Sequence, residues 1–484
     1  MQFLKKRISN IQERSFDRSL VVFLCILLLL YLLYAYFIEA CRSSVEVDEG
    51  YYMGVVNLLY KGLVPYRDFE LGYTPLLFYV LLPLRAIMGA LPVISSYKLL
   101  ICLVSFANAL LLAVLLKRIT KTGRVVTLFF SVLFLVFWLY LQGAKLLLEP
   151  LSVFWGLCAM LFVTRKKAKI DFVLAGAFAA LALLTKQYGL VFVGCIGVYL
   201  LCSTGPWKEM AGQCALFALG FCAVVGAFCS VYGLLGVSPA MLLASLSGSG
   251  YGSQSFYGYK LGLVKAVRVF PFLLLLPCLL LKMKREDCSA MALGVTGVVL
   301  SSFQLYFNVF PHYYLYMLPF VFLLSAMIFV KLRTEIDSKV ILFLFWGMLF
   351  TSSALLLQDV WTTTKYYQKA DVRKTTTDNA KQIDEVIKKH RVETTLCYWG
   401  TIEYYGLCSL TPPLIKKYGY SFGNETEETM CERLLDSDSF VVSEEGLEYL
   451  KKIMPVFCSQ LQRGYYVPEG GNVSTILVFI KEGK

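Results

Sequence analysis

Residues 21–38 read "VVFLCILLLLYLLYAYFI", and a few positions later residues 45–52 read "VEVDEGYY". The first stretch is continuously apolar and close to the roughly 20 residues that carry a helix across a bilayer. The second puts three carboxylates, Glu46, Asp48 and Glu49, at the mouth of that helix. Acid in this place has three readings: a solvated loop, charge at a helix end, or a site that uses carboxylates. The rest of the chain decides between them.

Of the 484 residues, 58% are hydrophobic, 15% aromatic and only 16% charged, against about 25% charged in soluble domains. Mean hydropathy is +0.64. The apolar runs are continuous rather than alternating, so the spans are helical and not those of a barrel. The net charge of +13 is unevenly spread. From Asp359 onward, 16 Lys and Arg face 18 Asp and Glu, leaving 30 basic and 15 acidic residues in the membrane part. Basic loops set orientation in a membrane. No basic face interleaved with aromatics occurs in a soluble segment, so nucleic acid is excluded as the partner. The first apolar run is too long for a cleavable signal and no small-residue cleavage pattern follows it; it reads as a retained anchor.

The basic N-terminus "MQFLKKRISNIQERSFDR" is expected to stay in the cytoplasm, which carries "VEVDEGYY" outside. Residues 50–92 contain Pro83 and Arg85 within an apolar stretch. Counting that stretch as a span would expel "KRITKTGR" (117–124), so it reads as an external loop with amphipathic helices in the interface. Further spans then fall near 97–116, 125–142, 148–164, 171–186, 188–203, 213–235, 264–282, 288–307, 313–331 and 339–357, about eleven in all. The cytoplasmic side collects 20 of the 30 basic residues of the membrane part, including "RKKAK" (165–169) and "KMKR" (282–285).

The expected organisation is a membrane domain over 1–357, with its external loop at 40–96, and an extracytoplasmic α/β domain over 358–484. In the latter, "NAKQIDEVIKKH" (379–390) has helical spacing, "TTLCYWG" reads as a strand, "SFVVSEEGLEYLKKIM" as strand, cap and helix, and "STILVFIKEG" as a last strand. Of 15 cysteines, Cys41, Cys397, Cys408, Cys431 and Cys458 would face an oxidising compartment, which permits disulfides whose pairing the sequence leaves open. With two histidines, His312 and His390, and no CxxC pair, zinc is not expected. Asn424 and Asn472 begin N-x-S/T sequons, relevant only in a glycosylating host.

The groups able to do chemistry fall on the expected outer side. They are Asp48 and Glu49, Arg67 and Asp68 in the loop, Glu149 beside Lys145, Lys186 in "ALLTKQYG", and His312 with Tyr313 in "NVFPHYYLYMLP"; Lys260, Lys265 and Arg268 flank a later span. Ionisable groups at membrane depth are costly and usually functional. Each also has a bland reading. Glu149 suits the N-terminus of a helix opened by Pro150. Lys186 can snorkel from a helix end. His312 and Tyr313 can belong to an interfacial aromatic belt, and Arg67 can simply pair with Asp68. Together the carboxylates and cations suit proton removal from a hydroxyl and neutralisation of a phosphate leaving group. A proton-coupled transporter uses the same residue types.

The ordered set carries a resemblance. "VDEGYYMGVVNLLYKGLVPYRDFELGYTPLLFYVL" (47–81) resembles the first external loop of the GT-C membrane glycosyltransferases related to protein O-mannosyltransferases and aminoarabinose lipid A transferases. Asp48, Glu49, Gly62, Pro65, Tyr66, Asp68 and Pro75 match in order. "LALLTKQYGL" looks like the family's Lys-bearing turn, "FPHYYLYMLPF" is similar to its late His-Tyr segment, and "TLCYWGTIEYYGLCSLTPP" to the start of the soluble domain in bacterial members. The likeness implies an integral membrane enzyme of the plasma or inner membrane. It would move a sugar from a polyprenyl-phosphate donor to a hydroxyl on a glycan, lipid or protein. It implies Asp48 as base and Glu49 as its support or, with Asp48, a holder of a divalent metal, a role that differs among relatives. Lys186, His312, Arg67 and Tyr313 would serve the donor phosphate, and Glu149 and Asp68 the acceptor or a secondary acidic site. The alternatives are a flippase for lipid-linked sugars and a non-catalytic subunit of a glycan-assembly complex. Glu46 is left as a bystander.

Overall fold

The computed structural model describes the chain except residues 1, 70, 89–92, 166–167, 204–205, 243–255, 280–286, 307–308, 334–338, 370–371, 391–430, 432–437, 469–471, 474–475 and 483–484. The strand expected at "TTLCYWG", the stretch resembling the start of the bacterial soluble domain, "KMKR", Cys397, Cys408 and Asn424 lie outside the described residues.

Among the described residues, five helices are long and apolar enough to cross a membrane: Ser19–Arg42, Ile94–Thr120, Trp207–Leu234, Cys288–Tyr306 and Val340–Lys369. The first belongs to α1 (Gln2–Arg42), the second to α4 (Val93–Thr120), and the third is α9. The fifth belongs to α13 (Lys339–Lys369). Shorter helices complete the bundle: α5 (Arg124–Tyr140), α6 (Glu149–Arg165), α7 (Lys169–Thr185), α8 (Leu190–Leu201) and α12 (Leu318–Lys331). Their packed core is overwhelmingly aliphatic and aromatic, centred on Phe130, Phe134, Phe137, Trp138, Phe192 and Phe320.

Two expectations change here. The span expected at 264–282 is broken: α10 (Phe256–Val269) meets a 3₁₀ segment, Pro271–Leu279, at 83°. A proline cannot donate to the helix ladder and disfavours helical backbone in the residue before it, and Pro271 stands at the bend. The expected domain boundary at 357/358 falls inside α13, which continues to Lys369. Its extra turns stay helical because Val360 and Thr364 are buried and Trp361 meets Tyr31 of α1, ring centroids 5.5 Å apart.

The loop after α1 holds α2 (Val47–Tyr60) and α3 (Leu76–Met88). At 14 and 13 residues and about 1.5 Å per residue, neither reaches across about 30 Å of hydrocarbon. α2 buries Tyr51, Tyr52, Met53, Val55, Val56 and Leu58 in a second core. α2 ends at Gly62, φ +83°, where the Lys61, Gly62 and Leu63 N–H groups cap the last carbonyls. Glycine accepts that left-handed backbone without strain.

The C-terminal part adds α14 (Val372–His390), β1 (Ser439–Ser443), α15 (Glu444–Ile453), α16 (Pro455–Gly464), β2 (Tyr465–Tyr466), β3 (Asn472–Val473) and β4 (Ile476–Lys481). The strand–cap–helix reading of 439–454 is present: the Ser443 hydroxyl accepts from the Gly446 N–H at 3.0 Å. β4 pairs antiparallel with β1, β2 and β3. Strand side chains alternate between faces. Val441 and Val478 therefore join Ile383 and Ile387 of α14 in the loop core, while Val442 and Phe479 pack with Leu450, Phe457 and Leu461. The sheet thus sits between the α2–α3 loop and its own helices. Cys41 is a free thiol.

Candidate active site

Glu49 closes the first turn of α2 onto the bundle. Its carboxylate accepts the Glu46 N–H at 3.0 Å and the Leu146 N–H at 2.9 Å. It also pairs with Lys98 of α4 at 2.9 Å, both side chains 1% exposed. Lys98 donates further to the Ser43 hydroxyl (2.7 Å) and the Ser44 carbonyl (2.9 Å). Burial pushes the Glu49 carboxyl up, but Lys98 and the two backbone donors outweigh it and hold the group below the usual range. This carboxylate ties α2, α4 and the turn before α6 together. Glu46 pairs with Lys145 from that same turn.

Asp48, one residue earlier, is half-buried in the same helical turn. Its charge is felt at His312 and Tyr313, which belong to a second polar cluster. There Glu149, the first residue of α6 and fully buried, pairs with Lys186 at the end of α7. The Lys186 ammonium stands 5.6, 5.3 and 5.1 Å from the ring centroids of Tyr73, Tyr188 and Tyr313. Aromatic faces attract cations within about 6 Å, so Lys186 is held by one carboxylate and a tyrosine cage. The turn around it is pinned to the loop between α2 and α3: Gln187 donates to the Gly72 carbonyl at 2.6 Å and Thr74 to the Leu183 carbonyl at 2.8 Å.

His312 lies in a 3₁₀ turn, Pro311–Leu315, before α12. Its Nε2 is 3.8 Å from Glu149 Oε1, and its Nδ1 is 3.4 Å from Gln142 Oε1. Burial pushes the imidazole pKa down; Glu149 pulls it up, and Lys186 again lowers it. The net direction is downward, so His312 is neutral at pH 7. Gln142 sits at φ +67° at the end of α5, a backbone region costly for a residue with a side chain. Glu149 Oε2 has no hydrogen-bond partner among the described residues although it is buried. A buried, unsatisfied carboxylate oxygen is costly and marks a place where an incoming group gains a bond.

Arg67 and Asp68 stay apart from this cluster. The Arg67 guanidinium, 42% exposed, pairs with Asp68 at 2.8 Å and donates to the Leu235 carbonyl at 2.9 Å. The Arg67 hydrogen bond, with one from the Val64 N–H, lowers the Asp68 carboxyl to about 2. Asp68 shapes the turn, as does Tyr66, whose φ of +69° lets its hydroxyl donate to the Tyr73 carbonyl at 2.7 Å.

The structure thus brings Glu149, Lys186, His312 and Tyr313 together, with the charge of Asp48 felt at His312 and Tyr313, while Glu49 pairs with Lys98 and Arg67 with Asp68 apart from them. A divalent ion held by Asp48 with Glu49 does not fit this donor set, because both Glu49 oxygens already serve Lys98 and backbone N–H groups. Among the described residues no group of three His, Cys, Asp or Glu side chains is arranged to hold a metal. Tyr73, Tyr188, Gln142 and Lys98 were not singled out from sequence. Lys98 had a signal, a lone cation inside an apolar run, and Tyr188 stands two residues from Lys186; Gln142 had none.

No family model matches the chain, and no curated protein matches it. Solved structures do. ArnT from Cupriavidus metallidurans bound to undecaprenyl phosphate superimposes with a TM-score of 0.63 at 14% identity, covering 94% of this chain and 97% of that one. The same protein in the apo state gives 0.65 at 13% identity, with the same coverage. The archaeal oligosaccharyltransferase AglB from Archaeoglobus fulgidus, in complex with an inhibitory peptide and a dolichol-phosphate, gives 0.49 at 14%, covering 95% and 74%. At such identities the ArnT likeness is one of fold, and with the membrane-length helices it makes this chain a polytopic membrane protein of the GT-C fold.

Proposed function

We propose that this protein is a glycosyltransferase that passes a sugar from a polyprenyl-phosphate donor to an acceptor hydroxyl on the extracytoplasmic face. The observation that carries it is the Lys186 ammonium, caged by Tyr73, Tyr188 and Tyr313 and paired with Glu149, which His312 approaches to 3.8 Å, with the charge of Asp48 felt at His312. The solved structure of similar fold bound to undecaprenyl phosphate supports a lipid-phosphate donor.

In this reading the acceptor oxygen attacks the anomeric carbon while Asp48 takes its proton. The bond from that carbon to the phosphate oxygen breaks, and the polyprenyl phosphate leaves with the electron pair. Lys186 neutralises the leaving charge in a site that largely excludes water, where such stabilisation is strongest. Neutral His312 donates or accepts a hydrogen bond without adding charge. Attack opposite the leaving group inverts the anomeric centre. The N-terminus lies in the cytoplasm and the α14–β4 part outside, consistent with the basic loops.

Proteoliposomes loaded with a panel of undecaprenyl-phosphate-linked sugars and an outer-membrane or cell-wall glycan extract test this. The expected result is radiolabel moving from lipid into a new covalent product. Label crossing the bilayer with no new product would instead establish a flippase.

A further inference from the structure

A cavity of about 380 Å³ opens between α1, the C-terminal end of α5 and α13. Its polar lining includes Glu39, Gln142, Lys145, Asp359, Thr363 and Tyr367, with the ring of Tyr140 beside them. Glu39 is only 8% exposed, yet its Oε1 has no hydrogen-bond partner among the described residues. Nothing in the reaction outlined above uses it. An orphaned carboxylate oxygen buried in a cavity is expensive unless something that enters donates to it.

The lining matches the chemistry of a sugar ring. Carboxylates accept from hydroxyls, an amide and hydroxyls both donate and accept, and an aromatic face covers the apolar side of a ring. At about 380 Å³ the space falls within the range of small-ligand pockets, roughly 300–1,000 Å³, at its lower end, which suits a single sugar ring. A divalent cation suits it less, because the Lys145 ammonium lines the same space.

The cavity also has a position relative to the reaction. Gln142 lines it and meets His312 through Nδ1, whereas Glu149, the partner of Lys186, meets the Nε2 edge of the same ring. Lys145 lines it too and pairs with Glu46, two residues before Asp48. The donor phosphate at Lys186 and this cavity therefore lie on opposite edges of His312. We infer that the cavity binds a sugar residue of the acceptor, so that the acceptor is a glycan or glycolipid; this rests on the glycosyl-transfer reading above.

The test uses the full chain in detergent and saturation-transfer NMR with glucose, galactose, mannose, arabinose and N-acetylglucosamine at millimolar concentration. Transfer to at least one sugar is expected. Glu39→Gln and Thr363→Val, each checked by its melting temperature, should weaken it at least about fivefold. Added undecaprenyl phosphate should bind alongside the sugar. The inference is overturned if no sugar receives saturation, if neither variant weakens binding, or if undecaprenyl phosphate competes, which would put the ring on the donor side. Manganese relaxing the cavity's signals in a Glu39-dependent way would also overturn it, in favour of a cation site. Failure of glycosyl transfer with sugar binding intact would count against the proposed reaction and leave the cavity standing.

Discussion

Two adjacent acids in one turn of α2 have parted company. Glu49 is consumed by Lys98 and two backbone donors, while the charge of Asp48 is felt at His312 and Tyr313. Breaking a buried pair by removing one partner costs about 3–5 kcal/mol, so Glu49→Gln or Lys98→Met should lower the melting temperature of the purified protein sharply. The pH dependence has a definite sign. The folded Glu49 carboxyl is depressed, so its contribution is full above the unfolded value of about 4.3 and is lost as pH falls through the folded pKa. The melting gap between wild type and Glu49→Gln should be widest at neutral pH and narrow in acid; a gap that widens in acid would contradict the pairing. Lys186→Met alone leaves Glu149 buried without its cation. The double variant Lys186→Met/Glu149→Gln should recover most of the lost stability while transfer stays reduced by about 100-fold or more, separating chemistry from folding.

Helix packing gives a prediction of its own. A Cβ on Gly176 of α7 would stand 1.9 Å from the Phe217 carbonyl oxygen of α9, and one on Gly220 of α9 would stand 1.9 Å from the Val173 carbonyl oxygen. The obstacle is backbone, so no side-chain rotation relieves it. Small residues of this kind let membrane helices approach closely. Gly176→Ala and Gly220→Ala should each cost about 1–3 kcal/mol, read as a lowered melting temperature, whereas Gly226→Ala, with open space around its Cβ position, should be close to neutral. Most elements were legible from apolar run length alone, because a run such as 97–116 has one inexpensive solution in lipid. Helix ends were less legible. α13 outruns its apolar stretch because Val360 and Thr364 are buried and Trp361 packs on α1, and the bend at Pro271 depends on what flanks it.

The whole molecule places the α2–α3 loop and a small sheet over one end of a helical bundle, and the candidate groups lie where the loop meets the bundle. The acids and the Lys-bearing turn were legible because ionisable residues are rare beside apolar runs, so each stands out in the sequence. Which acid reacts was not legible by spacing, since Asp48 and Glu49 differ by a single position and 100° of helix. The tyrosine cage was also hidden: Tyr73, Tyr188 and Tyr313 come from three distant segments, and the chain holds 31 tyrosines. The central claim, sugar transfer at Asp48, is tested most directly by assaying Asp48→Asn in proteoliposomes with an undecaprenyl-phosphate-linked sugar. Loss of a general base costs about 10²–10⁴ in rate. The account predicts a fall of that size with binding of undecaprenyl phosphate retained; transfer at the unmutated rate would contradict it.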